Sequence, residues 1–139
     1  MPLDGVWYNE LGSKMTLKTN GAQLMGLYET AVGAAKGEYP LAGLFTLDPE
    51  PTLGFVVAWQ NSFGSLRSTT AWSGQYQNQS GVESLVTTWL LTSDTTPDQN
   101  WASTLVGQDV FTRQPPPRAQ VEKALLRRAA SHPLVAPRR

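Results

Sequence analysis

The chain contains no cysteine, and its only histidine, His132, lies near the C-terminus. Disulfides and thiol chemistry are excluded outright. For the body of the chain, so are zinc and copper sites and Ser-His or Cys-His nucleophile pairs, which need those donors. Nothing approaches the run of about 18 apolar residues that a membrane-spanning helix requires. Met1-Pro2-Leu3-Asp4 does not read as the start of a signal peptide. Positive charge is scarce through residue 112, where Lys14, Lys18, Lys36 and Arg67 stand against ten acidic residues. A nucleic-acid binder would show a basic folded face, so that class is set aside. The absence of cysteine leaves the redox compartment open.

What is present is tryptophan among short polar side chains. Trp59, Trp72, Trp89 and Trp101 are interleaved with hydroxyls along strand-like runs. Ser68, Thr70 and Trp72 are spaced in steps of two, as are Trp89 and Leu91, so each set faces one way on a strand. The ordinary fate of a large aromatic is core packing. A pure core, however, would not align hydroxyls with indoles, because an unpaired buried hydroxyl costs about 1–3 kcal/mol. Flat apolar walls with a few convergent polar groups are the makings of a small-molecule pocket. Trp7, by contrast, reads as core at the closed end of the fold.

The 139 residues suffice for one domain with one sizeable core. Short strands are expected near 5–11, 14–20, 23–30, 39–47, 52–61, 66–77, 83–92 and 103–113, separated by Gly, Asn, Asp and Pro signals. Leu11-Gly12-Ser13 and Thr19-Asn20-Gly21 read as tight hairpins, the second with an Asn-Gly signal for a primed turn. Longer polar breaks fall at 33–38, 48–51, 61–65, 78–82 and 93–100. Eight consecutive strands predict an all-β, antiparallel up-and-down barrel over 1–113, with interior enough for one small ligand. From 114 the character changes. Pro115-Pro116-Pro117 favours an extended linker, and seven basic residues from Arg113 onward meet only Glu122. Arg118–Ala130 can form a basic helix with Val121, Leu125 and Leu126 on one side, stopped before Pro133 and Pro137. A helix this short is marginal in isolation, so the 114–139 tail is expected to be flexible.

Several positions carry possible chemistry. Asn9, Leu11 and Ser13 share a parity near the first hairpin; Tyr28, Thr30 and Val32 share one at the end of the third strand. Gly33-Ala34-Ala35-Lys36-Gly37 is a small-residue loop whose backbone N–H groups could approach an anion. Asp109 is an acid inside an apolar strand and needs hydrogen-bond donors around it. With one pocket carboxylate, acid-base catalysis lacks the pair of divergent titrating groups it usually uses, so no enzyme is expected. Glu29 and Arg67, on the opposite parity, read as solvated, and His132 as an exposed tail residue.

These segments resemble the avidin and streptavidin family of biotin-binding proteins. The matching stretches are GVWYNELGS (5–13), GLYETAVG (26–33), VVAWQN (56–61), STTAWSGQY (68–76), TTWLLTS (87–93) and WASTLVGQDVFT (101–112). They run in order across the whole body. The resemblance implies non-catalytic sequestration of biotin, with no cofactor or metal, in a secreted or periplasmic homotetramer. It implies that Asn9, Ser13 and Tyr28 donate to the ureido oxygen, while Asp109 and Thr30 accept from the ureido N–H groups. Thr70 would lie near the ring sulfur, and Ser68 with the Ala34 backbone N–H would hold the valerate carboxylate. Trp59, Trp72 and Trp89 would form the walls beside Leu11, Val32, Gly33 and Leu91, and Trp101 would come from a neighbouring subunit. Against the streptavidin pattern, Ala34 replaces an Asn, Thr30 a Ser, Leu66 an Ala at the pocket mouth, and Gln108 a His at a subunit contact. Leu66 leaves open a barrel turned to a different small amphipathic ligand.

Overall fold

A computed structural model of the chain describes residues 2–31 and 35–128, without the side chains of 127 and 128. Val32, Gly33, Ala34 and His132 therefore lie outside the described residues. The strands are β1 (Gly5–Tyr8), β2 (Lys14–Asn20), β3 (Gln23–Glu29), β4 (Glu38–Phe45), β5 (Thr52–Asn61), β6 (Gly64–Gln79), β7 (Val82–Ser93) and β8 (Thr104–Thr112). Each pairs antiparallel with the next, and β8 returns to β1, so the sheet closes into the expected eight-stranded barrel. Closure gives every described strand a neighbour on both sides, although β8 meets β1 through one register pair only.

The burial pattern along β5 to β7 alternates with period two, and the inward set is apolar and aromatic. Leu53, Phe55, Val57 and Trp59 from β5 meet Trp72 and Tyr76 from β6 and Leu85, Trp89 and Leu91 from β7 inside one cluster. Glycines let the strands coil tightly around it. A Cβ on Gly26 would lie 1.9 Å from the Thr16 carbonyl oxygen, and one on Gly43 would lie 2.0 Å from that of Gly54.

The turns refine the expected pattern. Asn20 pairs with Gln23, so the loop residues are Gly21 and Ala22. Gly21 has φ of 62° while Ala22 is not among the positive-φ residues, which fits a type II′ turn, with Asn20 just outside it. The breaks at 61–65 and 78–82 are shorter than expected: Asn61 pairs with Gly64 and Gln79 with Val82, leaving two-residue loops. In the latter, Ser80 and Gly81 both have positive φ, at 53° and 87°, the signature of type I′. The break at 93–100 contains a 3-10 helix, Pro97–Ala102, so Trp101 is not on a strand. Between Ala58 and Gln60 the β5–β6 register slips, and Arg67 takes φ of 56° in the bulge. Arg67 is exposed, as expected, and pairs with Asp94 at 2.7 Å.

Loops 9–13, 62–63 and 94–103 lie at one rim, as the up-and-down strand order requires. At the other rim Trp7 is fully buried and its indole N–H donates to the Leu3 carbonyl at 2.9 Å. The Arg113 guanidinium lies over the Trp7 ring at 3.7 Å and donates to the carbonyls of Pro2, Asp4 and Val6. It also meets Glu83 at 3.4 Å. One side chain thus latches the end of β8 to the start of β1, where the strands themselves share a single register pair, Tyr8 with Thr112.

Beyond Arg113, the helix α1 (Arg118–Arg128) forms where a basic helix is expected. Its inner face differs from expectation: Ala124 is buried and Leu126 is 88% exposed. Leu126 lies five residues from Val121, more than a full turn on, and so rotates off the face that Ala124 occupies.

Two outcomes test this account. Arg113→Ala is expected to lower unfolding stability by about 1.5–3 kcal/mol, with Arg113→Lys recovering only part, because an ammonium lacks the planar fork. Chemical denaturation of both variants checks it. The Tyr76 hydroxyl donates to Glu83 at 2.8 Å and, with Arg113, holds this carboxyl below its ordinary value of 4.5. A lowered folded value stabilises above the unfolded value and is lost as pH falls through the folded one. The stability gap between wild type and Glu83→Gln, present at neutral pH, should therefore close as pH drops below 4.5.

Candidate functional site

The described residues bury six polar side chains: Asn9, Ser13, Ser68, Thr70, Thr87 and Asp109. All but Thr87 are positions singled out from the sequence. Buried polar groups inside an apolar barrel must be held by partners, and the partners reveal how the site is built.

The β1–β2 loop is folded around Asn9. Its Oδ1 accepts the Leu11 and Ser13 backbone N–H groups at 3.0 and 2.9 Å, as an Asx-type turn does. That leaves Nδ2 to point inward, 3.5 Å from the Tyr28 hydroxyl. Gly12, with φ of 83°, allows the chain to double back within this loop. Ser13 Oγ lies 3.4 Å from Thr30 Oγ1, accepts the Ala31 N–H at 3.1 Å and hydrogen-bonds with Tyr28. Asn9, Ser13, Tyr28 and Thr30 therefore converge. Burial, and then the nearby Asp109 carboxylate, push the Tyr28 phenol well above its ordinary value. It remains a protonated donor across the physiological range.

Across the barrel the register places partners side by side: Thr70 beside Leu91, Trp72 beside Trp89, and Thr87 beside Asp109. The Trp72 indole N–H donates to Asp109 Oδ2 at 3.1 Å. Thr87, which the sequence reading passed over, donates to the Asp109 backbone carbonyl at 2.8 Å and fixes the strand behind the acid. The Trp59 indole donates to Thr70 Oγ1 at 2.8 Å. With that lone pair used, the Thr70 hydroxyl can give its own proton elsewhere.

The walls are aromatic. Trp72 stacks on Phe55 with ring centroids 4.8 Å apart and lies 5.2 Å from Tyr28. Trp59 meets Tyr28 and Tyr39 edge to face at 5.5 and 5.0 Å. Leu11 and Leu91 are buried, and Leu66 packs part-buried against the same cluster. Phe55 and Tyr39, which the sequence reading does not single out, pack against the tryptophan planes; Phe55 shares the period-two parity of Trp59 on β5, whereas Tyr39 stands opposite Tyr28 only through the β3–β4 register. The Trp89 indole N–H is buried with no hydrogen-bond partner among the described residues. An orphan donor of this kind costs about 1–3 kcal/mol, which is unusual for plain core packing. Trp101 stands apart, 82% exposed on the 3-10 helix.

Donors and a fixed carboxylate gather among aromatic planes. This arrangement suits a compact neutral group that both accepts and donates hydrogen bonds, carried on an apolar frame. Among the described residues no group of three His, Cys, Asp or Glu side chains could hold a metal ion, and no helix is long and apolar enough to cross a membrane.

Known proteins similar to this chain fall around one family. A family model described as the avidin family matches residues 1–114. Avidin from Gallus gallus is 38% identical over 121 residues, covering 80% of this chain and 77% of that protein. Avidin-related protein 4/5 from the same organism is 37% identical over 119 residues, with 80% and 77% covered. Fibropellin-1 of Strongylocentrotus purpuratus is 35% identical over 117 residues, which is 80% of this chain but 11% of that protein.

The Asn9 turn yields a prediction independent of any ligand. Asn9→Ala should destabilise the barrel by about 1–3 kcal/mol, since two loop amides lose their acceptor. Asn9→Asp should keep most of that stability. Denaturant unfolding of the pair measures both.

Proposed function

The chain belongs to the avidin family, and on that premise we propose that its barrel is a non-catalytic, pre-formed receptor that sequesters biotin. The observation that carries this reading is the convergence of the Asn9, Ser13 and Tyr28 polar groups near a buried carboxylate that Trp72 fixes in place.

In this reading Asn9 Nδ2 and the Ser13 and Tyr28 hydroxyls donate to the ureido oxygen. Asp109 and Thr30 accept from the two ureido N–H groups. Donors at one end and a carboxylate at the other polarise the ureido carbonyl towards O⁻, as an oxyanion hole does, in a site already organised. The Thr70 hydroxyl, oriented by the Trp59 indole, meets the ring sulfur. Ser68 and the Ala34 backbone N–H hold the valerate carboxylate. Trp59, Trp72 and Trp89 sandwich the rings, with Leu11, Val32, Gly33 and Leu91 beside them. Side chains already tied to one another lose little freedom on binding, which is how a small ligand gains high affinity.

We further propose a homotetramer. Trp101 is exposed on its own barrel, ready to close a neighbour's pocket, and Leu44, Val56, Leu90 and Val106 leave the outer wall apolar. Export from the cytoplasm belongs to the same proposal.

Calorimetric titration of ligand-free protein with biotin is the test. One biotin per chain is expected. Asp109→Ala should weaken binding by about ten- to a hundredfold, the worth of a charge-assisted hydrogen bond, and Trp101→Ala by about tenfold or more. Absence of heat, with no displacement of labelled biotin, would overturn the reading and turn attention to another amphipathic ligand admitted past Leu66.

A further inference from the structure

The seam between β8 and β1 is the weakest in the barrel. The strands share one register pair, Tyr8 with Thr112, where every other neighbouring pair has at least four. Past that pair β1 has ended, and the backbone N–H of Val110 donates to the Glu10 carboxylate. The chain therefore leaves β8 an improvised partner: the β1–β2 loop, which carries Asn9, Leu11 and Ser13 inward.

The tail returns to the back of that loop. Pro115 to Pro117 turn the chain, and the Pro117 carbonyl accepts the Gln120 and Val121 N–H groups to start α1. Val121 Cγ2 comes within 3.9 Å of where a Gly12 side chain would begin, and Ala124 is 8% exposed. Between helix and barrel runs a half-open groove of about 740 Å³, lined by Asn9, Glu10, Gln108, Val110, Lys123 and Ala124 among others. The small residue at 124 and the bare Gly12 permit this approach.

The helix has little of its own to hold it. It has 11 residues, no acid in its first turn and, among the described side chains, one i,i+4 pair, Arg118 with Glu122, both exposed. A helix of that length is marginal alone, and Arg118 opposes the macrodipole. Its order is therefore tied to docking, through Val121 and Ala124.

We propose that α1 is a brace: docked on the β1–β2 loop, it holds Asn9 and Ser13 in their inward positions, so that the tail is a positioning element for ligand retention. The retention half rests on the biotin reading above; the loop half does not. A misplacement of the order of 1 Å in a hydrogen-bonding group is costly, so a brace far from the ligand still registers in its residence time.

The test uses the full-length chain. Ala124→Asp places a charge in the buried contact and should undock the helix. Leu126→Asp makes the same charge change on the exposed face of the same helix, and Ala124→Ser is the conservative control. Hydrogen exchange by mass spectrometry and the dissociation rate of labelled biotin are read in parallel. With Ala124→Asp, amides of α1 and of 9–13 should exchange faster while β3–β6 stay protected, and biotin should leave on the order of tenfold faster. The two controls should match wild type. Undocking without any change in the 9–13 amides or in biotin release would overturn the brace. Should α1 stay protected in Ala124→Asp, the Val121→Asp/Ala124→Asp double variant decides by the same two readings. If wild type fails to bind biotin, the function reading falls, while faster exchange at 9–13 on undocking would still support the brace and unchanged exchange would overturn it.

Discussion

A carboxylate kept inside an aromatic cylinder is the constraint to which the rest of this barrel answers. Asp109 is 1% exposed, and a charge so placed survives only with donors around it. Trp72 supplies one, and in doing so fixes its own ring, which then stacks on Phe55 and tilts against Tyr28. Thr87 pins the backbone behind the acid. The acid in turn helps to keep the Tyr28 phenol protonated, and thus a donor. One residue of β8 thus ties together a ring plane and a strand backbone, and reinforces the protonation state that burial already favours.

The polar arrangement is hierarchical. Asn9 Oδ1 is spent on its own loop, Trp59 spends its donor on Thr70, and Trp72 spends its donor on Asp109. Each commitment within the protein leaves a defined complementary group directed to the interior. Order precedes the ligand, and little freedom remains to be lost.

Much of this was legible in the sequence because a strand has a period of two. Residues 9, 13, 68, 70 and 109 were all selected by parity or by an isolated charge, and all are buried. Thr87 shares the parity of Trp89 and Leu91 and was readable by the same rule; it was missed because a threonine in a strand attracts no notice. Arg67 at φ of 56° was not readable, since arginine has no preference for a bulge and only the closing register demands one. Trp101 sits on a 3-10 turn rather than a strand, although Thr96-Pro97-Asp98 carried a helix-start signal. On α1, counting leucines favours Leu126, whereas the face turned to the barrel carries Val121, near Gly12, and the small Ala124. Helical faces follow the partner surface, which one sequence segment does not contain.

The two ends of the barrel meet at one rim. β1 begins and β8 finishes side by side there, antiparallel, with Arg113 spanning them. Traction applied to the two strand ends would therefore peel the seam open link by link instead of shearing many bonds at once. The guanidinium would bear the load first, and after it the lone Tyr8–Thr112 pair. In mechanical terms this small cylinder is a zipper with a single clasp, fastened at the rim opposite the pocket mouth.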